Sequence, residues 1–175
     1  LTLGGAAVAG DAFWDGGTTA NAVATGISGG AGDDRVQTSS GTITADTISD
    51  THSVSVAVTG VGLAGAAAGS TSTARAIGID GDAGNDSLVS NSAIVSNATS
   101  TAAGVSVSVA LSGAAASGTF LDNETRAETF ATGIAGGSDA DSITTTAGSS
   151  IVLSSISRTA DNAVAVSIAP PFSVS

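Results

Sequence analysis

With 175 residues the chain is long enough for one domain with a sizeable core, yet it has no Cys, Met, Tyr or Lys, and Ala, Gly, Ser, Thr and Val dominate it. The lack of cysteine excludes a disulfide framework, a thiolate zinc site and a thiol nucleophile. A formal net charge of −11 argues against nucleic acid as a partner and favours divalent cations, while only 11 % charged residues sets the chain apart from disordered acidic tails.

The first 25 residues, "LTLGGAAVAGDAFWDGGTTANAVAT", match the second half of a unit that then recurs. No basic segment followed by an apolar one opens the chain, so a leader is absent or already removed. A glycine-isoleucine pair opens each copy at Gly26, Gly78 and Gly133. After each comes a short strand pattern, "RVQTSSGTITADTIS", "SLVSNSAIVSNATS" and "SITTTAGSSIVLSSIS". A second alternating run follows, "HSVSVAVTG", "GVSVSVALSG" and "NAVAVSIAP", and then, in the first two copies, a stretch of small residues. The run 54–69 is broken by Ser, Thr and Gly and is too weak for a membrane helix. One Trp and no Tyr cannot supply the aromatic girdles of a membrane barrel.

This pattern divides a single repetitive domain, 1–175, into a partial repeat 1–25, repeats 26–77 and 78–132, and a partial repeat 133–175. Period-2 alternation of Val, Ile and Thr with Ser and Ala, and no sustained 3.6-residue period, predict an all-β chain. A unit with only a few short strands cannot close its own core, so neighbours must stack. The expected architecture is a β-solenoid, parallel β-helix or β-roll-like, of about three 52–55-residue repeats; a string of small β-sandwiches is the alternative. Gly29 and Gly60 could be equivalent corners, which would split each unit into two coils, but a single wide coil remains open. Val36, Leu88 and Ile143 are expected to stack in one core row. The two ends, "LTLGG" and "VAVSIAPPFSVS", present strands in need of partners, with Pro170-Pro171 blunting the second.

The stretch Gly29-Gly30-Ala31-Gly32-Asp33-Asp34-Arg35-Val36-Gln37 matches the nonapeptide G-G-x-G-x-D-x-U-x position by position. In that respect the chain resembles the repeats-in-toxin (hemolysin-type) calcium-binding family. The second copy places Asp82 where the pattern has glycine and keeps Gly84 and Asp86; the third keeps Gly136 and Asp141 but has Asp139 in place of a glycine. The resemblance implies turns whose carbonyls and carboxylates hold Ca2+. The implied ligand-bearing positions are Gly29, Gly32, Asp33 and Asp34, then Asp82, Gly84 and Asp86, then Gly136, Asp139 and Asp141. Family β-rolls repeat the nonapeptide in tandem, whereas here it occurs once per unit, and the resemblance covers about 30 of 175 residues. Gly, Asp and Asn also build any tight corner without a metal, and that reading stands beside the calcium one.

His52 is the lone histidine and reads as a surface residue, with no nucleophile motif beside it. The carboxylate pairs Asp33/Asp34 and Asp122/Glu124 could serve a glycosidase, but the chain offers few aromatic platforms, and no enzyme is expected. Phe13 and Phe120 are expected at equivalent corners, and Arg75 and Arg126 near equivalent positions beside carboxylates. Asn85, Asn97 and Asn123 begin glycosylation-type triplets. The expected function is a structural, non-catalytic module of an extracellular or cell-surface repetitive protein: surface fibre, filament subunit or adhesin stalk. Its partner would be itself or further repeats, without nucleic acid or a membrane span. A module binding ice through Thr-rich strands such as "TITADT", or binding glycan, is the alternative.

Overall fold

The computed structural model describes residues 17–111, 113–117 and 124–168. Among them are eleven β-strands and no helix, hence no helix long and apolar enough to cross a membrane. The first tier of chain comprises β1 (Thr18–Ser28), β2 (Arg35–Thr38), β3 (Thr42–Thr59) and β4 (Gly62–Ala66). The second repeats it as β5 (Ser70–Asp80), β6 (Ser87–Ser90), β7 (Ala93–Ala110) and β8 (Gly113–Ser117), and the third as β9 (Thr125–Ala135), β10 (Ser142–Thr145) and β11 (Ser150–Ser167).

Every strand pairs with its counterpart in the adjacent tier. The resulting sheets are β1-β5-β9, β2-β6-β10, β3-β7-β11 and β4-β8, all parallel. Because pairing is between repeats and not within one, the string of separate β-sandwiches does not form. The split at Gly60 fails as well. Gly60 does turn the chain, between β3 and β4, but β1 pairs with β5 and β3 with β7, each a whole unit apart and not half of one, so the unit is a single wide tier. Strand lengths of 11, 4 and 18 residues recur in all three tiers. The turns joining the second strand of each tier to the third vary in length, 39–41, 91–92 and 146–149, and the longer second repeat has its extra residues between β8 and β9, 118–124, against 67–69 between β4 and β5.

The long sheet faces β1-β5-β9 over its first half and β4-β8 over its second. Small side chains fill both gaps: Ala45, Ala74, Ala76 and Ala98 in one, Ala57, Ala64, Ala66 and Ala110 in the other. Such short residues let two backbones approach closely enough for hydroxyls to span the core. Ser72 Oγ lies 2.8 Å from the Ser49 carbonyl, Ser100 Oγ donates to Ser72 O at 2.7 Å and Ser49 Oγ to Ala20 O at 3.0 Å. Each such bond satisfies a buried hydroxyl that would otherwise cost about 1–3 kcal/mol.

Larger apolar residues collect only behind the first corner, where Ile79, Leu88 and Ile94 pack with Ile27, Val36, Ile43 and Ile134. Val36, Leu88 and Ile143 are level with one another across the tiers, as the sequence predicts, although Ile143 in the last tier is 48 % exposed. The recurring glycine-isoleucine pair has a steric origin here. A Cβ on Gly78 would lie 2.2 Å from Ile94 Cγ2, and one on Gly26 would lie 2.5 Å from Ile43 Cγ2. The isoleucine that opens each long strand fills the space a side chain would need.

Arg75 and Arg126 are not equivalent. Arg75 is level with Phe130 and Arg126 with Thr71, four residues apart along the same sheet. Counting residues back to the glycine pair, three from Arg75 and seven from Arg126, gives the same offset of four. Phe13, Trp14, Phe120, Asp122, Asn123 and Pro170-Pro171 lie outside the described residues, as do "LTLGG" and the last residues of the C-terminal stretch.

Candidate functional site

The corners joining the first and second strands of each tier, 29–34, 81–86 and 136–141, stack directly on one another. Isolated bridges Ala31↔Ala83 and Ala83↔Ser138 mark the column. Two positions in each corner take the left-handed backbone: Gly30, Asp82 and Gly137 at φ 100, 71 and 102, and Gly32, Gly84 and Asp139 at φ 113, 138 and 81. Asp is among the few non-glycine residues that enter this region at modest cost, which accounts for its replacing glycine there.

The aspartates divide into two sets. Asp34, Asp86 and Asp141 fold inward. Asp86 Oδ1 accepts the Asp34 backbone N–H at 2.8 Å, and Asp141 Oδ1 accepts that of Asp86 at 2.9 Å. The Asp86 and Asp141 carboxylates thus each tie their own tier to the preceding one. Asp86 is 2 % exposed, and Asp34 Oδ2 and Asp86 Oδ2 are buried with no hydrogen-bond partner. The first glycine of the corner makes room for this fold-back: a Cβ on Gly81 would meet Asp86 Oδ2 at 2.4 Å and Gly136 O at 2.2 Å.

The outer set does something else. Asp33 Oδ1 accepts both the Asn85 backbone N–H at 2.9 Å and its side-chain amide at 3.2 Å. These two bonds, the backbone one foremost, hold the exposed Asp33 carboxyl below the ordinary aspartate value. Asn85 Oδ1 in turn accepts the Ala140 N–H at 3.3 Å, so this second ladder runs through three tiers. Asp82 accepts from Ser28 Oγ, and Asp139 Oδ2 lies 3.5 Å from the hydroxyl of its neighbour Ser138. Asp33 and Asp34 therefore take up different partners and do not converge.

Of the ten positions implicated by the calcium resemblance, all fall in one column, but their donors are largely spent on stacking. The Gly30, Asp82, Ala83 and Ser138 carbonyls accept N–H groups of the neighbouring tier at 2.7–3.4 Å. Among the described residues no group of three or more His, Asp or Glu side chains is gathered as metal ligands would be. What is left over at the column is the pair of buried oxygens, Asp34 Oδ2 and Asp86 Oδ2. Sequence reasoning could not assign the Oδ1 bonds, because each joins residues more than fifty positions apart.

Elsewhere, His52 projects outward from β3 with Nε2 3.3 Å from Asp50 Oδ1, both side chains more than half exposed. Arg126 pairs with Glu128 on its own strand. Asn97 donates from Nδ2 to Asp46 Oδ1 at 2.7 Å on the outer face of the long sheet. Comparison with family models, with curated proteins and with solved structures returns no match to this chain.

Proposed function

We propose that the chain is a structural, non-catalytic module of an extracellular repetitive protein, a β-solenoid in which each repeat is one wide coil. Such modules build a surface fibre, a filament or an adhesin stalk. The observation that carries this reading is the exact recurrence of strand lengths and register: each tier offers the next the same donors and acceptors that it receives. Adding a tier, from the same chain or another copy, requires no new geometry. The stack is also polar. Among the described residues no donor reaches Asp34 Oδ1 and no acceptor meets the Asp141 N–H, so the Asp141 end of one stack is matched to the Asp34 end of another. Unpaired edges of this kind are templates for strand addition.

Calcium belongs to the same proposal as a stabiliser of the corner column. Its support is the two buried, unpartnered carboxylate oxygens and the three like charges stacked in one row. Bound there, the ion would be held by Asp34 and Asp86 and would stabilise the folded form by mass action. Sedimentation and electron microscopy of the intact protein at rising concentration, with calcium or with chelator, test the reading. Filaments or end-to-end oligomers are expected. Monodisperse monomer at high concentration refutes it.

A further inference from the structure

The widest sheet is inside out in its second half. Its inner positions are occupied by Ser53, Ser55, Ser106 and Ser108, all buried. Its outer positions form a grid of three strands by three residues: Val54, Val105 and Asn162 in one row, Val56, Val107 and Val164 in the next, Val58, Val109 and Val166 in the third. Eight of nine are valine. Val54 is 72 % exposed and Val56, Val164 and Val166 are 42–49 % exposed. Leu111 and Ile168, also about half exposed, prolong the alternate rows of β7 and β11. The serines lie inside because the facing strand, "GLAGA", comes too close for anything larger. That choice leaves the valines on the outer surface.

We propose that this valine face pairs with the same face of a second copy of the chain. Three arguments favour that occupant. First, the grid carries no charge in a chain of net charge −11; on this face Asp46, Asp50 and Arg158 lie in the other half of the sheet, and the one titratable neighbour is His52, in the row beside Val54. Like-charge repulsion between copies is therefore weakest here, and one arginine gives little hold on an anionic membrane or polyanion. Secondly, the grid has no aromatic side chain, and its regular spacing, about 4.8 Å between strands and about 6.7 Å between alternate residues, is complementary to itself under a two-fold rotation.

Thirdly, the area fits. Nine positions at that spacing cover roughly 290 Å², and the Leu111 and Ile168 positions bring the footprint to roughly 350 Å². That is about the size of the largest exposed apolar patch on a typical monomer, a patch that is often functional. Two such faces bury roughly 700 Å² together, below the 1,200–2,000 Å² or so of stable pairs, so lone chains pair weakly. Two chains stacked end to end double the face to roughly 1,400 Å² of buried surface, within that range. This coupling rests on the stacking proposed above, but the pairing itself does not.

The absence of cysteine makes the test direct. Val107→Cys places the sole thiol at the centre of the grid. Thr73→Cys places it at a half-buried position of the middle tier in the opposite sheet, β5. Under mild oxidation the Val107→Cys chain is expected to form disulfide-linked dimer at least tenfold faster than the Thr73→Cys chain. Adding Val109→Asp should slow it to the control rate, with the β circular dichroism spectrum retained. As a second measurement on a nearly isosteric variant, the natural chain is expected to show a concentration-dependent rise in sedimentation mass that Val107→Thr loses. Equal cross-linking rates overturn the pairing whether or not filaments form. So does protection of Val107→Cys by phosphatidylcholine vesicles, which would make the face a lipid contact. Fast cross-linking without filaments would sink the stacking alone.

Discussion

Gly81→Ala probes the corner column at its tightest point. An added Cβ would stand 2.2 Å from Gly136 O and 2.4 Å from Asp86 Oδ2, so something must move by close to 1 Å. Two routes are open. If the tiers part, a close-packed stack is overpacked, at about 1–3 kcal/mol. If the Asp86 carboxylate swings away, the Asp34 N–H loses its 2.8 Å acceptor and is left unsatisfied in a part-buried site, again about 1–3 kcal/mol. Some of both must occur, because the same Cβ meets both groups, and the expected loss is about 2–4 kcal/mol. For a chain of this size that lowers the melting temperature by about 4–16 °C. Two further glycines calibrate the result. Gly29→Ala meets Gly81 O at 2.8 Å and Asp34 Oδ2 at 3.3 Å and should cost less. Gly60→Ala meets nothing within 4 Å and its φ is not positive, so it should stay within about 0.5 kcal/mol of the natural chain. Urea unfolding followed by circular dichroism gives all three. If Gly81→Ala unfolds at the same midpoint as Gly60→Ala, the account of the corner as a sterically closed column is wrong.

Asp86→Asn keeps an acceptor for the Asp34 N–H but removes the middle charge; in chelator it should melt no lower than the natural chain, while losing any rise in melting temperature on adding calcium. An equal calcium shift in both chains would place the ion elsewhere. Ser72→Ala removes the hydroxyl facing Ser49 and should cost about 1 kcal/mol, whereas Ser72→Val also overfills the gap and should cost about 1–3 kcal/mol more, both read from urea midpoints. Asp33 is held below its ordinary value of 3.8 by Asn85, so its contribution to stability is complete above that value and is lost as the pH falls through the lowered one. Asp33→Asn should therefore flatten the acid side of the stability curve below about pH 4, with little change in its pH dependence at neutrality; an unaltered acid limb would show that Asn85 does not matter.

The β character and the order of the tiers were legible because the Gly-Ile pair is forced. Gly26 and Gly78 face isoleucine side chains that exclude a Cβ, so the pair recurs wherever a long strand begins behind the corner. Its spacing gave the register of β1, β5 and β9. The number of coils per unit was not legible, since Gly29 and Gly60 both follow a strand and begin a turn, and only the pairing of β1 with β5, 52 residues on, shows that one tier holds both turns. Alternation also leaves open which of two faces turns inward. That depends on how near the opposing strand comes, and here Ala64 and Ala66 decide in favour of serine. In the corner the sequence showed a carboxylate beside glycines, which resembles a calcium turn. It could not show that Asp86 and Asp141 reach a backbone N–H in another repeat, for that contact exists only once the tiers stack.

A tier adds little height for the chain it consumes. Residues 18–69 carry the chain from the start of β1 to its parallel neighbour β5, one strand spacing away, about 4.8 Å. Pulled straight, the same 52 residues span about 180 Å. A force transmitted through the chain enters at an end tier and peels it away strand by strand, while the tiers behind keep their pairing. Each tier that yields lengthens the tether nearly fortyfold relative to the height it gave up. A stack of the proposed kind would be short and stiff at rest and would hold a large reserve of hidden length under load, released in discrete steps whose size is set by the repeat.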